Sequence, residues 1–205
     1  MSSGLEYLDA GIFIASIDRE HIAHRECGDL LLGLMSENRA LTSLATLEEV
    51  IHRIKAKKCA DEFIDMLLRS PRLVKIPLNI EILMKSANVV FRYGIDAFDA
   101  VAISTALIHG ASVFWTVDIR LLDCIDALRE TWAELSRIEF RCPINPKLLM
   151  EESKIKHQQK AKRNIENAIL NLLYVRGLKI KKNRFRQAVE ETLKTIEIVI
   201  NKYIQ

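Results

Sequence analysis

Two patterns of apolar and polar positions alternate along roughly the first two thirds of the chain. Short, nearly continuous apolar runs are typical of buried parallel strands. Between them, apolar residues recur every three or four positions, as in amphipathic helices. The predicted strands are Leu5–Asp9, Ala40–Leu44, Leu73–Ile76, Val113–Val117 and Ile138–Arg141. Because the connections are too long for hairpins, the sequence predicts an α/β domain with a mostly parallel sheet covered on both faces.

Helices are predicted between the strands. Two of them start near Ile12 and near Thr46, and a third is capped by Asp96 and ends at Gly110. The others span Arg19–Met35, Asp61–Arg69, Ile80–Val90 and Leu121–Leu135. Thr46 is the predicted N-cap of the helix that opens there, with Glu49 completing a capping box. Asp99 takes the third position of the helix that Asp96 caps.

The pattern changes beyond Pro146. Two long helices, Leu148–Arg176 and Arg184–Tyr203, are predicted to form a C-terminal helical hairpin, so the chain divides into residues 1–145 and 146–205. The second part holds 14 Lys and Arg against 6 Asp and Glu, whereas the first part is acidic. A basic tail on an acidic body is found where the tail meets a polyanion, although a solvated helix face would give the same composition.

Composition and termini narrow the protein class. No run of 18 or more apolar residues predicts a membrane span, and the N-terminus lacks the basic start of a signal peptide. Four dispersed cysteines without a paired spacing favour reduced thiols over disulfides or a zinc site. We therefore expect a cytoplasmic protein without membrane attachment.

Four acidic residues carry the candidate chemistry. Asp9 and Asp118 end predicted strands, and Glu49 and Asp99 each lie three residues after a predicted cap. Sites of open α/β sheets form at the carboxyl ends of strands and the adjoining helix starts, so the four should meet. Taken singly, each acid is better explained as a cap or turn residue, and it is the joint pattern that favours a site. The neighbouring acids Glu48 and Asp96 are the alternatives to Glu49 and Asp99, read as a solvated residue and a cap.

Carboxylates gathered in one place repel one another and resist ionisation. A divalent cation relieves that repulsion, and a hard cation such as Mg²⁺ prefers oxygen ligands. Such a cation activates water and stabilises charge on a phosphate that is being cleaved. Thr116, two residues before Asp118, is placed to orient a water molecule or a ligand.

The segments YLDAGIFIAS, LATLEEV, FDAVAISTAL and VFWTVD, in this order and spacing over roughly residues 5–142, resemble the PIN-domain family. The resemblance implies a three-layer α/β/α sandwich and an endoribonuclease that depends on Mg²⁺ or Mn²⁺. It implies that Asp9, Glu49, Asp99 and Asp118 bind the metal and that Thr116 takes the family's Ser/Thr position.

The resemblance also bears on partners. Many small members of the family resemble VapC-type toxins, which pair with an antitoxin protein, so RNA and an antitoxin are the expected partners. The apolar stripes of the two predicted tail helices suggest a second copy of the chain as a third partner. Other members are catalytically silent RNA-binding or scaffold proteins, which is the alternative here. Two positions depart from the family pattern: Gly11 stands where Asn or Ser is common, and the acid after Asp118 comes only at Asp123.

Overall fold

The computed structural model describes residues 4–55 and 60–175. Five strands form one fully parallel sheet in the order β3-β2-β1-β4-β5. The strands are β1 Glu6–Leu8, β2 Ala40–Ser43, β3 Leu73–Ile76, β4 Val113–Trp115 and β5 Glu139–Arg141. Every connection between neighbouring strands therefore crosses over through helices, as parallel pairing requires.

Helices lie on both faces of the sheet. They are α1 Ala10–Ile17, α2 His24–Ser36, α3 Leu44–Ile54, α4 Ala60–Arg69, α5 Ile80–Tyr93, α6 Ala97–Ile108 and α7 Ile119–Thr131, with a 3₁₀ turn at Ala133–Arg137. A further helix, α8, spans Pro146–Val175. Strand side chains alternate between two apolar cores. Leu8 packs with α1 to α4, whereas Tyr7 and Phe114 pack with α6 and α7. The predicted three-layer α/β/α architecture is confirmed.

Two element boundaries differ from the predicted ones for clear physical reasons. The helix expected from Arg19 begins only at His24, because residues 19–23 form turns after α1. The helix expected over Leu121–Leu135 instead starts at Ile119, where Asp118 caps it, and ends at Thr131. The periodic apolar pattern continued into the 3₁₀ turn, so periodicity alone extended the predicted helix too far.

The capping box predicted at Thr46 and Glu49 is wrong. Helix α3 begins at Leu44, and its N-cap is Ser43, whose hydroxyl accepts from the Thr46 backbone N–H at 3.0 Å. The Thr46 hydroxyl is 2.9 Å from Ser43 Oγ and 2.8 Å from the Tyr7 hydroxyl, all three being buried. Glu49 consequently lies in the second turn of α3, outside the reach of the first-turn dipole.

The chain separates into two units, residues 1–150 and 151–205. The predicted division at residue 146 and the helical hairpin stay predictions, because the second helix of that hairpin falls outside the described residues. In the stretches that the structure covers, none of the helices combines the length and apolar character needed to cross a bilayer.

Candidate active site

The centre of the sheet places the first candidate residues. From β1 the chain adds β2 and β3 on one side of the sheet, and it then crosses back to add β4 and β5 on the other side of β1. The topological switch point therefore lies between β1 and β4. The carboxyl ends of two such neighbouring strands leave a crevice in which ligands bind. Asp9 follows β1 and caps α1, while Thr116 and Asp118 follow β4, with Asp118 capping α7.

Thr116 ties the two strand ends together. Its hydroxyl donates to Asp9 Oδ2 at 2.8 Å and accepts from the Asp118 backbone N–H at 2.9 Å. Asp9 Oδ1 accepts a second bond from the Ala10 N–H at 2.7 Å. Both Asp9 and Thr116 are buried. The Asp9 carboxylate is therefore fixed in position by an alcohol and a backbone amide.

Asp99 and Glu49 reach the same place from two helices. Asp96 caps α6 through a 2.9 Å bond from the Phe98 N–H, and Asp99 lies in the first turn, as predicted. A groove of about 420 Å³, the acid groove, opens at this edge. It is lined by Glu48, Glu49, His52, Arg53, Asp96, Phe98, Asp99, Asp118 and Arg120. Three of the four predicted acids thus share one groove, and Thr116 joins the fourth to them.

The four carboxylates interact electrostatically. Burial raises the pKa of Asp9 to about 6, and the negative charges of Glu49 and Asp118 add to that rise, against the hydrogen bonds from Thr116 and Ala10. The pKa of Asp99 is raised to about 7, mainly by burial and then by the negative charges of Asp9 and Asp118. Carboxylates that must stay ionised here need a compensating positive charge.

Two arginines supply part of that charge. Arg53 donates to Glu49 Oε1 at 3.3 Å, one helical turn along α3. Arg120 contacts both oxygens of Asp118, through its backbone N–H at 2.8 Å and its guanidinium at 3.2 Å. Because both arginine side chains are largely exposed, these pairs are weak and exchange readily with solvent or ligand.

Comparison with known families decides the assignment. The sequence matches the PIN domain over residues 7–128, which is more than half of the chain and contains all five predicted site residues. The chain belongs to the PIN-domain family. Its resemblance to that family, inferred above from four short segments, is confirmed. A comparison with curated proteins gives no significant match.

Solved structures similar to this PIN protein include three from toxin–antitoxin systems. The sarcin-ricin loop cleaving toxin VapC20 of Mycobacterium tuberculosis is 13% identical, with a TM-score of 0.47 over 53% of this chain and 86% of that one. VapBC2 of Rickettsia felis bound to a promoter DNA fragment is 16% identical, with a TM-score of 0.47 over 67% and 98%. DNA-bound VapBC of Salmonella typhimurium is 18% identical, with a TM-score of 0.46 over 69% and 99%.

The donor set at the PIN crevice suits a hard divalent cation. Asp9, Glu49, Asp99 and Asp118 offer only carboxylate oxygens, the ligand type that Mg²⁺ prefers, and burial disfavours the unneutralised charges of Asp9 and Asp99. Over the described ranges, 4–55 and 60–175, no three His, Cys, Asp or Glu side chains are already close enough to form a complete metal site. Oxygens of Glu49 and Asp118 are turned toward arginine donors instead.

Sequence reasoning missed two supports of this PIN site. Gly11 lies in α1 where an added Cβ would come within 2.7 Å of Val117 Cγ2, so glycine allows the close approach of α1 to the end of β4. The second support is the buried hydroxyl cluster of Tyr7, Ser43 and Thr46, which fixes the start of α3. The spacing Ser43-x-x-Thr46 was visible in the sequence, but the predicted strand ran through Ser43 and hid it.

Proposed function

We propose that this protein is a metal-dependent endoribonuclease that hydrolyses RNA phosphodiester bonds. The observation that carries the proposal is the mutual electrostatic interaction of Asp9, Glu49, Asp99 and Asp118 at the crevice between β1 and β4. Burying several acids that repel one another is costly, and the cost is understandable where a cation and a phosphate are to be bound.

Each residue has a defined part in the proposal. Asp9, Glu49, Asp99 and Asp118 would hold Mg²⁺ or Mn²⁺. A bound divalent cation supplies Lewis acidity, which favours ionisation of water and neutralises charge on the phosphate. Thr116 holds the Asp9 carboxylate in one orientation through its 2.8 Å hydrogen bond.

Arg120 and Arg53 would change partners when RNA binds. Each guanidinium lies at the acid groove beside a carboxylate that the proposal assigns to the metal. With a cation held by those carboxylates, the two guanidinium groups would be free to contact phosphate oxygens, for which their geometry is well suited. No covalent intermediate with a protein side chain is required.

The decisive experiment compares the native chain with Asp99→Asn during a Mn²⁺ titration, with a labelled single-stranded RNA as substrate. We expect cleavage that rises with metal in the native chain and is lost in Asp99→Asn. Asp61→Asn is the matched control, since Asp61 is also a first-turn acid, on α4. Cleavage that persists after complete removal of metal by EDTA would exclude the proposal.

The arginine pairs favour one alternative, a catalytically silent RNA-binding module. Arg53 and Arg120 already neutralise two of the four acids, and a protein without turnover could keep them so. In that case the protein binds RNA, but the RNA is not cleaved with any metal. Equal RNA retention by the native chain and Asp99→Asn, without products in either, would support the alternative over the nuclease.

Three partner assignments follow as further proposals, two of them from the family and the third from the apolar stripes of the tail helices. RNA is the substrate, with the basic residues 146–205 adding affinity. A VapC-type role would add an antitoxin protein, which a small DNA-binding protein encoded beside this gene would supply. A homodimer is the third proposal, tested by light scattering on the full chain. Unchanged RNA affinity after deletion of residues 146–205 would remove the tail from the first proposal.

A further inference from the structure

A second cavity, of about 330 Å³, lies between α5 and the segment that follows α7. Its lining combines cations, an amide and aromatic rings: Lys85, Asn88, Val89, Arg92, Tyr93, Thr131, Trp132, Ala133 and Glu134. We call it the α5 cavity. Its volume falls at the lower end of small-molecule sites, about 300–1,000 Å³, which suits a ligand of the size of one nucleotide.

Stacked aromatic rings form a rigid wall of the α5 cavity. The rings of Tyr93 and Trp132 stack with centroids 5.4 Å apart and an interplanar angle of 8°. The Tyr93 hydroxyl donates to the Thr131 carbonyl at 3.2 Å. Trp132 is buried, whereas Tyr93 is only partly so. The tyrosine ring is therefore held in place while part of it remains accessible to a ligand.

A third depression has lining residues in common with both the α5 cavity and the acid groove. Tyr93 also lines a depression of about 320 Å³ that contains Asp96, Asp99, Asp118 and Arg120. The same four residues line the acid groove. Tyr93 thus borders both the α5 cavity and the depression beside the acid groove, and a strand longer than one nucleotide that lies in the acid groove can extend past Tyr93 toward the α5 cavity.

Charge changes sign along this surface. The acid groove is dominated by carboxylates, but the α5 cavity presents Arg92 and Lys85. Lys85 forms an ion pair with Glu134. Arg92 is exposed, and among residues 4–55 and 60–175 no carboxylate pairs with it. A polyanion crossing the acids would find an available cation at this end.

We propose that the α5 cavity binds a nucleotide of the RNA strand that flanks the cleavage position. Arg92 contacts its phosphate, the exposed Asn88 amide meets the base edge, and the Tyr93 ring contacts the base face, an interaction that single-stranded RNA commonly makes with aromatic side chains. The inference rests on the proposed RNA-directed function, and it adds a positioning subsite to that function.

The test measures how RNA affinity depends on salt. Binding of a labelled 12-nucleotide single-stranded RNA is followed by anisotropy in Mg²⁺, in the Asp99→Asn background so that the RNA stays intact. Each phosphate contact to single-stranded nucleic acid contributes about 0.7 to the slope of log affinity against log salt. We expect Arg92→Gln to reduce that slope by about 0.7 and Arg92→Lys to keep it. Arg72→Gln is the matched control, because Arg72 is exposed and lines none of the three depressions.

The outcomes separate this inference from the proposed catalysis. Equal slopes for Arg92→Gln and Arg72→Gln overturn the subsite, even if the native chain cleaves RNA. A reduced slope for Arg92→Gln alone supports the subsite, even if no cleavage is found with any metal. Absence of RNA binding by the background protein overturns it as well. In the cleaving chain, Arg92→Gln should raise KM for the 12-nucleotide RNA several-fold and leave kcat unchanged, which a general loss of folding would not produce.

Discussion

Replacing Asp99 by Asn should stabilise the metal-free protein while it removes activity. Asp99 is partly buried, and its ionised form is opposed by burial and by the charges of Asp9 and Asp118. Asn is close in shape to Asp but carries no charge. We therefore expect the variant to have the higher free energy of unfolding at pH 8 in EDTA.

The magnitude follows from the pKa of Asp99. A rise from 3.8 to about 7 corresponds to about 4 kcal/mol at roughly 1.4 kcal/mol per unit. Because the side chain is partly exposed, solvent screening reduces this upper limit to about 1–2 kcal/mol. The carboxylate also interacts favourably with the first turn of α6, by about 0.3–1 kcal/mol. A net stabilisation of about 1 kcal/mol remains.

The sign of the pH dependence is fixed by linkage. The folded state holds the Asp99 proton more tightly than the unfolded chain, so stability is fully present below about pH 4 and falls as the pH rises through about 7. Urea unfolding in EDTA should show this fall in the native chain and a shallower one in Asp99→Asn. The two proteins should agree near pH 4 and differ most at pH 8.

Two controls guard the interpretation. Asp61→Asn removes a first-turn acid from α4 and should be neutral or slightly destabilising at every pH. Adding Mn²⁺ at pH 8 should stabilise the native chain by mass action and Asp99→Asn much less. The reasoning is refuted if Asp99→Asn is less stable than the native chain at pH 8 in EDTA, or if the difference between them does not change with pH.

Two further predictions concern the supports of the site. Thr116→Val removes the hydroxyl that donates to Asp9 and lowers its pKa, so the acidic limb of a pH–rate profile should move to higher pH. The free energy of unfolding should fall by about 1–3 kcal/mol. Thr116→Ser should restore the profile, and an unshifted profile in Thr116→Val would contradict the role. Gly11→Ala should be destabilising by about 1–3 kcal/mol in thermal or urea unfolding, because its Cβ meets Val117. The control Gly28→Ala, at a helical site with open space, should raise the free energy of unfolding by up to about 1 kcal/mol. Equal effects at the two glycines would contradict the close approach of α1 to Val117.

The sequence predicted the fold well because its signals there are physical and local. Apolar runs marked all five strands, and the long connections required parallel pairing. Few strand orders are then possible, since crossover connections are right-handed and short. Asp9, Thr116 and Asp118 could be assigned to the crevice for the same reason, as they directly follow β1 and β4.

The location of Glu49 was predicted by taking Thr46 as the N-cap of α3, whereas the N-cap is Ser43. Thr46 and Ser43 are both suitable capping residues, three positions apart, and the choice between them depends on the buried hydroxyl of Tyr7. That contact joins residues 36 and 39 positions apart in sequence, so no local pattern reveals it. Glu49 nevertheless lines the acid groove, because a helix carries side chains toward a crevice from its second turn as well as its first.

The α5 cavity had no counterpart in the sequence analysis. Arg92 and Tyr93 lie just beyond the helix predicted over Ile80–Val90, and Trp132 was included in the helix predicted over Leu121–Leu135. Their meeting depends on how α5 packs beside the end of α7, a tertiary arrangement that periodicity does not encode. Cavities assembled from two elements far apart in sequence are in general not predictable from either element.

The pairing of β1 with β4 has a consequence for protein synthesis. Tyr7 and Phe114 are register partners, so β1 gains β4 as a neighbour only after more than one hundred further residues have been synthesised. Until then Asp9 has neither Thr116 nor Asp118 beside it. The carboxylates that the proposed metal site requires are thus brought together only when the sheet is nearly complete.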